Sequence, residues 1–468
     1  MIDIVGGQTG EVSGAEASSG PKAQGRLATA IGHRQERQQR INWAWGTSLL
    51  STLTTIAIQL LAIPLVYRSL GQGGYAAYAS ITAAAGMIAV LNMGIGGSLV
   101  TPIAAAAAEG NQSRQAVLVQ AGLAPLIVLC LIGASIVIPA IALLPLGTIF
   151  GKAGADGSID LRIAALIAVS AALAAVPLSA TDILRQAFQE MHISNLYGAA
   201  ANVLICLALL AAANYSTALA VFVAAFTLPL LIVRIANAGL LFGGRSYLLR
   251  MCGDFPWRES RLLLDDGVRY MAAAFSFVLV YQWPVYWIAR TLPASQSAPF
   301  AIFMQVVLFP ISFALGFLRP LWSSTADAHA RGDRTWIDNQ IRKGRMTIVL
   351  AGAGVLATLL LVGQQIVRIW IRQPILMDWQ TRGLAGAYIM LAMWEYFHYV
   401  LALGFGRLRE TTAAIFQRAA GFALAVPLLT MMGGVKAIWV GMCCSILFWS
   451  AWRLPKLLQT QVARVSEG

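Results

Sequence analysis

Residues Ile41 to Tyr75 read INWAWGTSLLSTLTTIAIQLLAIPLVYRSLGQGGY. The first 25 of them, Ile41 to Leu65, carry no charge. At ~1.5 Å per residue that run is long enough for a helix to cross a hydrocarbon layer of ~30 Å. It ends on Arg68-Ser69-Leu70-Gly71, and Gly73 and Gly74 allow a tight reversal before a second apolar run starts at Tyr75. The pattern returns 222 residues later, where Arg290-Thr291-Leu292 repeats Arg68-Ser69-Leu70. At the same offset Gly110-Asn111 recurs as Gly332-Asp333, and Arg185 as Arg407, each pair between apolar runs. Three matches in one register indicate a duplicated half.

Composition agrees. The 468 residues are 58% hydrophobic and 11% charged, under half the ~25% charge of an ordinary soluble domain. The fold class is therefore an all-α polytopic membrane protein. Twelve spans are expected in two six-helix lobes: Ile41–Leu65, Tyr75–Ile95, Ala116–Leu144, Leu161–Ala180, Leu196–Ala213 and Ala218–Phe242, then Val268–Ala289, Pro299–Leu318, Met346–Ile369, Gly383–Gly404, Thr412–Met431 and Val435–Trp452. An even number places both termini on one side. Counting those near span ends with the nearer side, 24 of the 33 Lys+Arg fall on that side and eight on the other, with Arg234 inside a span. Basic residues stay preferentially in the cytoplasm, so both termini are expected there.

The expected organisation is a disordered, Gly/Ser/Gln-rich tail over 1–40, lobes over 41–242 and 268–455, a basic linker over 243–267, and a tail over 456–468. The linker, with Arg245, Arg250, Arg258 and Arg261, either simply joins the lobes or lies along the anionic leaflet. The net charge of +13 is dispersed over short loops rather than clustered, which argues against nucleic acid. Four of the five cysteines, Cys130, Cys206, Cys443 and Cys444, lie in apolar runs and give no disulfide framework. The four histidines have no metal-ligand spacing, the Gly151-Lys152 dipeptide lacks the rest of a phosphate loop, and the outer loops hold only Asp156, Asp160 and Asp378. No enzyme site is visible, which disfavours a membrane-embedded polysaccharide polymerase or transferase.

Polar groups inside spans are costly unless they face a cavity or a partner, so they mark candidate sites. Arg234 lies about eight residues from the end of its helix, beyond easy snorkelling, and either faces a central cavity or bonds a neighbouring carbonyl. Glu395 and His398 share one helical face and form either an ion-coupling pair, suited to a proton or sodium gradient, or a satisfied packing pair. Gln59, Gln282 and Gln305 offer neutral amides, either to sugar hydroxyls or phosphate or as glue between helices.

IPLVYRSLGQGGYAAYASI (63–81), LNMGIGGSLV (91–100) and RPLWSSTADAHARGDRTWIDNQIRK (319–343) resemble the polysaccharide and O-antigen flippases of the multidrug/oligosaccharidyl-lipid/polysaccharide exporter superfamily, over about residues 41–455. The sequence departs from that pattern at Pro293, where the first half has Gly71, and in its long polar N-terminal tail. The resemblance implies two lobes enclosing a cationic cavity in the bacterial inner membrane. It implies a monomer that moves an undecaprenyl-diphosphate-linked oligosaccharide between leaflets by alternating access, for exopolysaccharide, O-antigen or capsule synthesis. Membrane lipids and a polysaccharide polymerase or co-polymerase would be its partners, and no cofactor is implied. On that reading Arg234, with Arg68, Arg290 and Arg319 near helix ends, would neutralise the diphosphate. The rival within transport is a cation-coupled multidrug antiporter of the same superfamily, which should carry acidic cavity residues.

Overall fold

The computed structural model describes residues 21–89, 91–154, 159–250, 255–372, 375 and 377–464. Among them there are helices and no strands: α1 (Pro21–Ala89), α2 (Leu91–Ala108), α3 (Gln112–Leu143), the short α4 (Leu146–Phe150), α5 (Ile159–Ala187), α6 (Met191–Tyr215), α7 (Leu219–Gly244), α8 (Trp257–Thr291), α9 (Ala294–Ala330), α10 (Arg334–Ile371), α11 (Trp379–Gly404), α12 (Leu408–Ser445) and α13 (Ala451–Arg464). Nine stretches of the described residues are long and apolar enough to cross a membrane. Two of them, Gly46–Ile88 and Leu408–Gln459, are pairs of crossings. α1 folds back at Gly71 (φ 68°, ψ −174°) and α12 at Gly433 and Gly434 (φ 58°, ψ −139° at the latter). A positive φ with an extended ψ is open to glycine and strained for other residues, so each reversal is completed within a residue or two. With α11 included the crossings number twelve, in two six-helix lobes.

Glycine and proline perform the same reversal in the two halves. Where the first half has Gly71, the second has Leu292 in an extended conformation (φ −103°, ψ 157°) followed by Pro293, because proline excludes the helical conformation from the residue before it. The Gly110 and Gly332 turns match closely. Their φ values are 68° and 69°. Asn111 and Asp333 amides bond back to Ala106 and Ala328, and their side chains cap the next helix by accepting from the Arg114 and Trp336 amides. The Arg185–Arg407 match fails. Arg185 lies inside α5, whereas Arg407 is the N-cap of α12 and corresponds to Glu190, the N-cap of α6, at an offset of 217. Unequal helices, α3 against the longer α10, and the α4 insertion move the register between these landmarks.

Several boundaries also moved. The residues expected to be a disordered tail are helical from Pro21 onward, while 1–20 lie outside the described residues. Proline is favoured in a first turn, and the Ala-, Gln- and Arg-rich run behind it has good helix propensity. The second crossing, expected to end at Ile95, is followed through α2 to Ala108 despite three glycines. The 243–267 stretch is only partly a connection. α8 starts at Trp257 and docks on the first lobe, where Ser260 Oγ donates to the Ala121 carbonyl (2.8 Å) and Arg114 pairs with Glu259 (3.1 Å).

Proline makes contacts as well as bends. A helical proline leaves the carbonyl four residues earlier without its partner, and no water reaches it in a bilayer. Four such carbonyls are taken by donors from other helices. Trp370 Nε1 donates to Leu60 (Pro64, 2.7 Å), Ser260 to Ala121 (Pro125), Trp283 Nε1 to Ala423 (Pro427, 3.1 Å) and Trp394 Nε1 to Ala451 (Pro455, 3.2 Å). The Trp370 and Ser260 bonds join the two lobes, one at each end of the bundle. The end carrying the Gly71 turn, here the distal end, is clasped further. Arg68 Nε donates to the Ile371 carbonyl (3.1 Å), and Arg290 Nη1 and the Tyr286 hydroxyl both donate to Ile149 (2.6 Å from Arg290).

Candidate substrate chamber

Six crossings surround a cavity of ≈ 450 Å³ between the lobes. Its polar lining follows helical stripes: Thr55 and Gln59 on the first arm of α1, Tyr75, Tyr78 and Thr82 on the second, Asn202 on α6, Tyr281 and Gln282 on α8, Gln305 and Ser312 on α9. Spacings of three, four and seven residues place the α1 and α9 sets each on one face, while Tyr281 and Gln282 are neighbours on α8. Phe226 and Leu230 of α7 and Phe277 of α8 supply apolar wall. Asn202 Nδ2 donates to Thr55 (2.9 Å) and Thr54 (3.2 Å), and the Tyr388 hydroxyl donates to that of Tyr281 (2.8 Å). Gly86 leaves the room that Gln282 uses, since a Cβ there would stand 3.2 Å from the Gln282 amide carbon.

The chamber continues sideways. Thr55, Gln59 and Ser312 also line a second space of ≈ 570 Å³ between α1 and α9, with Ser51, Ile56, Phe309, Pro310 and Phe313. Phe313, one of its lining residues, is 63% exposed on the outer surface. The polar interior and greasy mouth would suit a solute with one wet and one oily part.

All three glutamines singled out in the sequence, Gln59, Gln282 and Gln305, line the chamber. The arginines do not, and no charged side chain is among the lining residues. Arg234 lies one turn beyond Leu230, half-buried, and donates to the Ala175 carbonyl of α5 (3.2 Å) near Asp182. Arg68 and Arg290 serve the distal clasps. Arg319 lies on α9, and its side chain is outside the described residues. The expected cationic interior is thus corrected to a neutral one among the described residues. The physical reason is local: a guanidinium with five donors finds loop or kink carbonyls more cheaply than it holds itself in an empty cavity.

Glu395 and His398 share a helix face but not a partner. Glu395, 2% exposed, stands 2.8 Å from Arg418 Nε of α12, as an ion pair rather than a well-aligned hydrogen bond. Tyr281, Tyr388 and Tyr396 lie around that pair. His398 Nε2 accepts from Arg345 Nε (3.1 Å), so its Nδ1 carries the proton and donates to the Trp394 carbonyl (2.8 Å). Each group thus has its own partner on a neighbouring helix, Arg418 for Glu395 and Arg345 for His398. Arg418 escaped notice because its segment, IFQRAAGFALAV, begins near a basic loop. The lining tyrosines, Asn202 and the hydroxyls were also missed, although the Tyr75-Tyr78-Thr82 stripe was the available signal.

Solved structures share this fold. An inward-facing multidrug-resistance transporter of the MATE family of the MOP superfamily superposes with a TM-score of 0.70 at 14% identity, over 90% of this chain and 98% of that one. An outward-facing MATE transporter of the superfamily gives 0.63 at 15% identity over 92% and 96%. A MOP superfamily transporter from Pyrococcus furiosus, described as having a binding pocket of reversed polarity that suggests a different function, gives 0.62 at 15% identity over 91% and 95%. No family model matches the sequence, and no curated protein matches it in sequence. The chain is a multi-pass membrane protein that shares the fold of these transporters.

Proposed function

We propose that the protein is a transporter, not an enzyme, and that it flips a lipid-linked oligosaccharide from the leaflet on the side of its termini to the opposite leaflet by alternating access. The observation that carries this reading is the neutral, amide- and hydroxyl-lined chamber opening sideways between α1 and α9. Glutamine, asparagine and tyrosine both donate and accept, as sugar hydroxyls require, without a fixed charge to desolvate. The lateral opening lets a polyprenyl chain stay in lipid while the glycan crosses. A diphosphate would be held near the interface on the side of the termini, where Arg258, Arg261, Arg342 and Lys343 are exposed. The fold alone fits a multidrug antiporter equally well. The lining does not favour it, since no carboxylate there would hold a cationic drug.

The test is selectivity. Proteoliposomes containing the purified protein should translocate a fluorescent undecaprenyl-diphosphate oligosaccharide and leave a lipophilic cationic dye untransported across a proton or sodium gradient. Dye transport without glycolipid translocation would replace this reading with the antiporter.

A further inference from the structure

Two asparagines of α6, Asn195 and Asn202, stand seven residues apart and meet two threonines of α1 at the same spacing, Thr47 and Thr54. Asn195 Nδ2 donates to Thr47 (3.3 Å), and Asn202 Nδ2 donates to Thr54 (3.2 Å) and Thr55 (2.9 Å). Both asparagines tie the same two helices. Of the two, Asn202 alone also lines the chamber.

The Asn202 amide has a fixed sense. Thr54 and Thr55 each give their hydroxyl proton to the Ser51 carbonyl (2.9 and 2.8 Å), so toward Asn202 their oxygens can only accept. The Nδ2 end of the amide satisfies both. Turning the amide over would set Oδ1 against two oxygens that have no proton to offer, so the network assigns which end is which. Oδ1 is then the unspent group of a half-buried, chamber-lining side chain, with no donor from the protein among the described residues. The glutamines differ. Gln59, Gln282 and Gln305 bond to no protein group among the described residues, so each of their amides can turn to present either oxygen or nitrogen.

We infer that Asn202 Oδ1 is a specificity-determining acceptor of the chamber, with Thr54 and Thr55 as its positioning residues, and that the carried glycan must bring a donor to it, a free sugar O–H or an acetamido N–H. The inference rests on the glycolipid reading and narrows it. A mobile amide answers the loss of a ligand donor by turning its own donor forward. A fixed acceptor has no such recourse, and a glycan whose hydroxyls are masked as ethers leaves it desolvated and unpaired. Sites built to bond a particular O–H or N–H reject analogues lacking it far more strongly than pockets that discriminate by size.

The test measures translocation rates of three fluorescent undecaprenyl-diphosphate glycolipids by the full chain in proteoliposomes. One carries a neutral hexose trisaccharide, one the same trisaccharide fully O-methylated, and one an O-methylated trisaccharide that keeps a single acetamido N–H. The wild type should prefer the first to the second by at least tenfold. The rate of the third identifies the donor: near the first it is the N–H, and near the second it is a hydroxyl. Asn202→Leu removes the acceptor at similar bulk, so the ratio of the first two rates should fall about tenfold. A purely structural loss would slow both substrates alike and leave that ratio unchanged. Thr54→Val with Thr55→Val keeps Asn202 but frees its amide to turn, and the ratio should fall there too. Asn195→Leu, which cuts the companion tie between the same helices, should leave it at the wild-type value. No preference in the wild type, or a wild-type ratio in both Asn202→Leu and the threonine double variant, would overturn this inference alone. Failure of the wild type to translocate any of the three would overturn the glycolipid reading and this inference with it.

Discussion

At the residue scale, the costliest arrangement is the Glu395–Arg418 pair, two charges 5% exposed or less at their side chains and 2.8 Å apart. Removing one member of such a pair strands the other in a medium that cannot solvate it, at about 3–5 kcal/mol, whereas replacing both with apolar groups is often neutral. Glu395→Gln should therefore lower the thermal unfolding midpoint in detergent sharply, and adding Arg418→Met should recover most of the loss. A Glu395→Gln protein with wild-type stability and no gradient-driven transport would instead return Glu395 to the ion-coupling role. The sequence located this carboxylate but not its partner. Pairing depends on the rotation of α12 against α11, which no spacing within one helix encodes. The glutamines were legible for the opposite reason: an amide in a long apolar run stands out without knowledge of its neighbours, and all three line the one chamber, from α1, α8 and α9.

At the scale of elements, the crossings themselves were readable because a bilayer allows only helices of a nearly fixed length, so charge-free runs and the glycines between them suffice. What extends beyond the bilayer was not readable. α8 and α10 begin eleven or twelve residues before the expected spans, in amphipathic turns held by tertiary contacts and by the Asp333 cap. The repeat gives an element-scale test. Gly406 ends α11 at φ 72°, but its first-lobe counterpart at the end of α5 is Gln189 at φ 60°. A side chain in this region costs about 1 kcal/mol relative to glycine. Gln189→Gly should raise the unfolding midpoint, and a lowered one would show that the Gln189 side chain holds the α5–α6 turn by a contact that outweighs the strain.

At the scale of the whole molecule, the two lobes pack through α1 and α2 against α8 and α9 and are tied by directed bonds at either end, with the chamber between. The part of the distal clasp made by Tyr286 and Arg290 depends on α4 and the turn after it, an insertion with no counterpart among the described residues of the second lobe. There Gly151, at φ 58°, lies so close to the Arg290 backbone that a Cβ would collide with its carbonyl. Gly151→Ala should loosen this end. Spin labels placed across it, on residues 148 and 294, should then report longer distances than in the wild type, while unchanged distances would mean that the clasp does not depend on this approach. The α4 clasp could not be foreseen, since its acceptor is a main-chain carbonyl, and every sequence supplies those.

The central claim is that an uncharged, hydrogen-bonding chamber carries a glycan across the membrane while its lipid remains in the bilayer. It is tested most directly by the translocation rate of a fluorescent lipid-linked oligosaccharide in proteoliposomes containing Gln59→Leu, Gln282→Leu and Gln305→Leu together. These substitutions keep the bulk of the side chains and remove their hydrogen bonds, so folding should persist and translocation should fall by at least tenfold. Translocation at the wild-type rate by the triple variant would contradict the account.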